Sequence, residues 1–189
     1  MGQDDATAFA GGRAMLRLAA SRLGIADAEG VAAGGYQLLL AAYGRDIDVH
    51  TTLYDGAVAA VDRLRATGCA TGICTNKPEY LAEILMRRLG VRDVFGSLIG
   101  ADTLPVRKPD PEPFFEAVRR AGGNTQRSCL IGDTITDHST ARAAGVPSVL
   151  VTFGPGASAG QADIRALEPD ALLDHFDELP ALAKRLLGE

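Results

Sequence analysis

Leu130-Ile131-Gly132-Asp133-Thr134-Ile135-Thr136-Asp137 is the stretch whose reading decides the fold. An apolar run, Ser128 to Ile131, ends on a glycine and then on Asp133, and Asp137 follows four residues later. Behind it a helical pattern, Ser139 to Ala144, is stopped by Gly145. The pattern predicts a buried strand that delivers its carboxyl end to a polar turn and a helix. In open α/β sheets ligands bind at that end of the strands. Two carboxylates and a glycine placed there form half of a site for a hard cation.

Outward from this stretch, apolar runs alternate with helical patterns. Helix Ala57 to Ala66 precedes the run Cys69 to Cys74, which ends in Thr75-Asn76-Lys77-Pro78. Helix Glu79 to Leu89, a short strand Ser97 to Gly100, the polar segment Arg107-Lys108-Pro109-Asp110-Pro111 and helix Pro113 to Ala121 follow. Beyond the opening stretch come a strand at Ser148 to Phe153, a weak strand at Ala171 to Leu173 and a helix at Leu179 to Leu187. Strands alternating with helices of this length predict right-handed β-α-β units and a parallel sheet. The first fifty or so residues differ. They carry helical patterns at Arg13 to Leu23 and Ala28 to Tyr43, the second weakened by Gly34-Gly35, and no β-rich run.

Composition removes several classes of function. A chain of 189 residues with 47% hydrophobic and 23% charged residues is ordinary for one globular domain or a core with an appendage. The net charge of −5 argues against nucleic acid, which needs a basic face. No run of about 18 apolar residues predicts a membrane span, and the first ten residues lack a signal peptide's pattern. Cys69, Cys74 and Cys129 are odd in number and lack C-x-x-C spacing, so they read as reduced core thiols in a cytoplasmic protein. The three scattered histidines, His50, His138 and His175, do not suit zinc.

Three polar clusters stand just after a strand or just before a helix: Thr75-Asn76, Lys108-Pro109, and Gly132-Asp133 with Asp137. In that order and spacing they resemble the second, third and fourth motifs of the haloacid dehalogenase (HAD) superfamily. Within it, T-N-K-P, G-A-D-T-L-P-V-R-K-P-D-P-E-P-F and I-G-D-T-I-T-D look most like phosphoglycolate phosphatases. The resemblance runs from about Leu53 to Leu173. It implies a Rossmannoid three-layer α/β core over residues 53–189 and a small α-helical cap over residues 1–52. It implies Mg²⁺-dependent phosphomonoester hydrolysis of a small phosphorylated metabolite, 2-phosphoglycolate first, in a cytoplasmic monomer or homodimer without nucleic-acid or membrane partners. Thr75 and Asn76 would donate hydrogen bonds to phosphoryl oxygens. Lys108 would bind phosphate and act in catalysis by offsetting the charge of the transferring group. Asp133 would ligate Mg²⁺, and Asp137 would serve as an outer metal ligand or orient a bound water. Other HAD chemistry, such as a sugar-phosphate mutase or nucleotide phosphatase, and a non-catalytic phosphate- or metal-binding protein remain alternatives.

The family's first strand carries D-x-D-x-T/V, with a nucleophilic and an acid/base aspartate. This sequence offers no convincing counterpart, so the first core strand is expected to be missing and the activity of these 189 residues is in doubt. Asp46-Ile47-Asp48 follows Tyr43-Gly44-Arg45 rather than a buried strand, with His50 where Thr or Val belongs, and reads as a polar connection. Asp4-Asp5 is weaker still. In the family that strand lies between those ending at Thr75 and Gly132. An unfilled position would leave them about 10 Å apart, twice the usual spacing of about 4.8 Å. The strands could close up, another segment or partner chain could fill the gap, or the natural start codon could lie upstream; the last is the expectation for the gene product.

Plainer readings accompany each residue. Thr75-Asn76 could cap the helix after Pro78, Asp133 could cap the helix behind it, and Asp137 suits that helix's dipole. Lys108 alone would be a solvated loop lysine. Arg13 could reach a substrate carboxylate, although an exposed helix arginine is the default. Gly156-Ala157-Ser158-Ala159-Gly160 imitates a nucleophile elbow, with Asp174 and His175 in order behind Ser158, but Gly154-Pro155 separate it from its strand. Gly154-Pro155-Gly156 with Ala159 imitates a dinucleotide fingerprint, and a surface loop is the preferred reading.

Overall fold

The computed structural model describes residues 11–153 and 164–188, together with Thr7. Asp4-Asp5, Gly154-Pro155-Gly156 and the elbow-like segment with Ser158 lie outside the described residues. Two helices open the described chain, α1 (Gly12–Arg22) and α2 (Ala28–Arg45). They pack chiefly on each other. Asp27 caps α2 by accepting a hydrogen bond from the Gly30 N–H at 2.7 Å, and α2 runs unbroken through Gly34-Gly35. Packing against α1 outweighs the helix cost of two glycines, roughly 1 kcal/mol each.

The rest alternates strand and helix: α3 (Ala57–Ala66), β1 (Gly72–Cys74), α4 (Glu79–Arg88), β2 (Ser97–Ile99), α5 (Glu112–Arg120), β3 (Leu130–Gly132), α6 (Ile135–Ala144), β4 (Ser148–Val151), β5 (Ala171–Leu173) and α7 (Leu179–Leu187). All pairings are parallel, as the alternation predicts. One apolar cluster joins Ala60 and Leu64 of α3 to Val149, Val151 and Leu173 of the strands and to Leu179, Leu182 and Ala183 of α7. A second joins Phe114 of α5 to Leu130 of β3 and to Ala141 and Val146 in and after α6. Helices therefore cover both faces of the strands, giving three layers. Each fully buried Leu or Val removes enough apolar area from water to stabilise the fold by about 1.5–3 kcal/mol.

The described strands do not form one sheet. Among the described residues β1 pairs with β2 in one sheet, and β3, β4 and β5 form another in that order. Burial follows this division. All of β2 and β4 is buried, whereas Gly72 of β1 and Ile131 of β3 are exposed on strands whose neighbours are covered. Strand β1 is also shorter than the run Cys69 to Cys74 suggests, because Cys69 N–H instead bonds the Leu64 carbonyl as part of the turn closing α3.

The junction between the N-terminal helices and the core is polar. Arg88 of α4 donates to the Arg45 carbonyl at 2.9 Å and to Asp48 at 2.7 Å. Asp48 is thus occupied in an exposed ion pair, and Asp46 only ends α2. This geometry is that of the polar connection. Lys77 donates to the Tyr43 hydroxyl at 2.6 Å with its ammonium 4.4 Å from that ring's centroid, linking α2 to the turn after β1. No helix among the described residues is long and apolar enough to cross a membrane.

Candidate functional site

The carboxyl ends of β1 and β3 carry the clusters named from sequence, and Lys108 joins them. Its ammonium donates to the Cys74 carbonyl at 2.8 Å and to Asp137 Oδ1 at 2.6 Å. Lys108 therefore sits inside, with its side chain 10% exposed beside an Asp137 side chain at 9%. An ammonium has three donors, so one N–H is left to meet an anion at the strand ends. Asn76 Nδ2 donates to the Lys108 carbonyl at 3.0 Å, tying the turn after β1 to the lysine's loop.

Asp137 is the hub. Its Oδ2 accepts from Asp133 N–H at 3.2 Å, Thr134 N–H at 3.1 Å and the Thr134 hydroxyl at 2.6 Å. Thr134 accepts in turn from Asp137 N–H, a reciprocal capping box that starts α6 at Ile135. Thr134, and not Asp133, is therefore the helix cap, and α6 begins four residues before the pattern Ser139 to Ala144 suggests. The sequence signal for it is T-x-x-D, Thr134 to Asp137, in which the same aspartate also suits metal ligation. Burial pushes the Asp137 carboxyl up, but the Lys108 charge, the hydrogen bonds from Lys108 and Thr134, and the Asp133 N–H together hold it below the ordinary value.

A carboxylate with a depressed folded-state pKa contributes stability above its unfolded value and loses it as pH falls through the folded value. For an aspartate the unfolded value is about 3.9, so this contribution is intact at neutral pH and fades below about pH 4. Denaturation midpoints measured in EDTA from neutral pH down to about pH 3 are expected to fall more steeply for the natural chain than for Asp137→Asn. Parallel curves would remove the ion pair from the acid response.

Thr75 Oγ1 accepts from Lys77 N–H at 3.1 Å, an arrangement in which its hydroxyl proton can donate outward. Neither Thr75 nor Asn76 caps α4: Pro78 precedes that helix without a side-chain cap, and Glu79 N–H donates to Asp102 Oδ1 at 2.7 Å. Asp133 is half-buried at the end of β3. Burial and then the Asp133 charge raise the Tyr54 hydroxyl above its usual pKa. Tyr54 stacks edge-on with Phe153 at 5.1 Å between centroids, and Phe153 with Phe176 at 5.2 Å. This aromatic wall had no motif in the sequence; it assembles from three separate segments.

The remaining candidates lie elsewhere. Arg13 stacks over the Tyr36 ring at 4.3 Å within the N-terminal helix pair. Asp174 accepts from the Thr152 hydroxyl at 2.6 Å and His175 caps the short 3-10 turn Phe176–Glu178. The three cysteines are free thiols. Burial raises Cys74 to about 11, with the Lys108 charge opposing and the Asp137 charge reinforcing it.

The donor set sets what cation fits. Among the described residues no group of three or more His, Cys, Asp and Glu side chains could hold a metal ion. Mg²⁺ is commonly held through one or two carboxylates while keeping several waters. Asp133 suits that role. Both oxygens of Asp137 are taken by Lys108 and the turn, which suits an outer role.

The fold is thus a parallel α/β core with a buried lysine–carboxylate pair at its strand ends. The chain belongs to the haloacid dehalogenase-like hydrolase family, whose model matches residues 5–145. It is 39% identical over 152 residues to a phosphoglycolate phosphatase of Mesorhizobium japonicum, covering 80% of this chain and 65% of that protein. A phosphoglycolate phosphatase of Agrobacterium fabrum is 36% identical over 155 residues, with 82% and 65% covered. The chain thus spans about 65% of the length of these relatives. A solved structure from Haemophilus somnus 129PT, described as a predicted phosphoglycolate phosphatase, shares the fold with a TM-score of 0.71 at 22% identity, over 90% of this chain and 74% of that one.

Proposed function

We propose that this chain carries the phosphate- and metal-binding part of a Mg²⁺-dependent phosphomonoester hydrolase, with 2-phosphoglycolate as its leading substrate. The observation that carries the reading is Lys108, buried and held between the Cys74 carbonyl and Asp137 with a donor to spare. A phosphoryl group at the strand ends meets that ammonium, the Thr75 hydroxyl and the second Asn76 amide proton. Asp133 would hold Mg²⁺, which when bound supplies charge neutralisation to the phosphoryl oxygens. Asp137 positions Lys108. The helices α1 and α2 act as a cap over this end, and the names of the relatives support phosphoglycolate over other phosphomonoesters. The setting is cytoplasmic, as the reduced thiols suit.

Asp46 ends α2 and Asp48 is spent on Arg88, so the D-x-D before the core serves as a polar connection rather than as a nucleophile and its acid/base partner. The 189-residue chain is therefore expected to bind orthophosphate weakly and to release no phosphate from 2-phosphoglycolate above a blank. Orthophosphate titration by calorimetry, with and without Mg²⁺, reads the first part, and a phosphate-release assay the second. Absence of phosphate binding, or binding unchanged in Lys108→Met, overturns the site. Robust Mg²⁺-dependent hydrolysis by a homogeneous sample overturns the lack of turnover, and a phosphomonoester screen then separates phosphoglycolate from sugar phosphates and nucleotides.

A further inference from the structure

The chain has three lysines. Lys77 and Lys108 stand in the loops that follow β1 and β2, and Lys184 lies exposed on α7. Lys108 is engaged by the Cys74 carbonyl and Asp137. Lys77 has no such anchor. Its ammonium donates to the Tyr43 hydroxyl at 2.6 Å and lies 4.4 Å from the centre of that ring, so its partner is neutral. No carboxylate pairs with it among the described residues, whereas Arg88, at the same junction of α2 with the core, is neutralised by Asp48.

The backbone fixes the base of the Lys77 side chain. Its N–H donates to Thr75 Oγ1 at 3.1 Å, its carbonyl accepts from Ala101 N–H at 2.9 Å, and Pro78 follows. The flexible four-carbon stem therefore starts in the turn that presents the Thr75 hydroxyl and the Asn76 amide. Tyr43 is held from the other side. It lies in the last turn of α2, whose end is fastened to α4 by the two Arg88 hydrogen bonds. The residue is 43% exposed, and its hydroxyl makes no other hydrogen bond among the described residues. That hydroxyl accepts from Lys77, so its own proton is left to donate, and the ammonium keeps two N–H of its three. Three donors and one positive charge stand together at the seam between α2 and the turn after β1.

We propose that Lys77 and Tyr43 receive a carboxylate attached to the ester carbon of the substrate, and so select a phospho-carboxylate over a neutral phosphomonoester. The proposal rests on the phosphate site of Thr75, Asn76 and Lys108. The two oxygens of a carboxylate match the two ammonium N–H and the hydroxyl on offer. A cation held only by a hydroxyl and a ring gains from a full negative charge, because charge-assisted hydrogen bonds are the stronger kind. Little ordering is needed, since the ring already holds the ammonium in place. An alkyl group at the same spot would displace water from the ammonium and replace none of its hydrogen bonds. A ligand bound in this way touches Lys108 in the core and Tyr43 on α2, and so ties the N-terminal helices to the strand ends.

Calorimetric titrations in Mg²⁺ compare 2-phosphoglycolate with ethyl phosphate, which has the same carbon chain and no carboxylate. The natural chain is expected to bind the first about tenfold more tightly. Lys77→Met should bring the two ligands within about twofold of each other, and Lys77→Arg should keep most of the preference. Tyr43→Phe, which keeps the ring, should lose part of it. Acetic anhydride labelling of the unaltered chain gives a readout that needs no variant to fold. 2-Phosphoglycolate should slow acetylation of Lys77 relative to Lys184, and ethyl phosphate should not. The proposal is overturned by a preference undiminished in Lys77→Met, or by Lys77 labelling that is the same with either ligand. Orthophosphate binding with equal affinity for the two esters overturns the proposal and leaves the phosphate site standing. Absence of orthophosphate binding overturns both.

Discussion

Lys108→Met is expected to lower the melting temperature by about 10 °C, the largest effect of any single change at the strand ends. The reason is what it leaves behind. Asp137 is 9% exposed, and its Oδ1 has Lys108 as its charge partner at 2.6 Å. Removing one member of a buried ion pair strands the other charge, at a cost of about 3–5 kcal/mol. In a chain of this size each kcal/mol moves the midpoint by roughly 2–4 °C. Methionine keeps the length and apolar stem of lysine, so lost packing adds little. The double variant Lys108→Met with Asp137→Asn removes both charges, and the asparagine oxygen still accepts from Asp133 and Thr134 N–H. It is expected to regain more than half of the lost stability, although it binds no phosphate. Scanning calorimetry on the three proteins tests this. A single variant melting within about 2 °C of the natural chain would show that water already solvates Asp137.

Gly132→Ala is expected to cost about 3 kcal/mol and to abolish phosphate binding. A Cβ on Gly132 would lie 2.3 Å from both Cβ and Cγ of Asp137 and 2.6 Å from its Oδ2. Such contacts need something to shift, and Asp137 is poorly free to do so, being held by Lys108, Thr134 and the Asp133 amide. Moving it breaks the capping box that starts α6 and releases Lys108 from its place between the strands. Gly34→Ala is the control. That glycine has open space around its Cβ position in the middle of α2, where alanine is the better helix former by roughly 0.5–1 kcal/mol. Urea midpoints and an orthophosphate titration read both variants. Near-equal midpoints for Gly132→Ala and the natural chain would mean that the turn after β3 relaxes without cost.

Much of this was legible because it is local. The alternation of apolar runs with helical patterns gave parallel strands with helices on both faces, and Gly145 stops α6 with φ at 67°, as a glycine there should. The spacing of Thr134 and Asp137 also encoded the capping box, since both partners lie within one helical turn. A carboxylate at Asp137 suits a metal, a helix dipole and a cap alike, so its residue type does not single out the cap. The partners of Lys108 were not legible. The Cys74 carbonyl is 34 residues away and Asp137 is 29 away, and a carbonyl carries no side-chain signature at all. The same holds for Asn76, which reaches 32 residues to the Lys108 carbonyl.

The sequence by itself determined the family, the order of strands and helices, and which strand ends carry polar residues. These follow from hydrophobic period and from residue types at short spacing. Tertiary structure decided that Lys108 is a buried bridge rather than a solvated loop lysine, that Asp137 holds it, and that Tyr54, Phe153 and Phe176 form one wall. It also decided that the parallel strands divide into two sheets with an apolar lane between β1 and β3. The sequence anticipated a gap there, but whether strands close across a gap depends on the helices packed on both faces. Only the folded arrangement of α3, α5 and α7 shows how they line it while, among the described residues, β1 and β3 do not pair with each other.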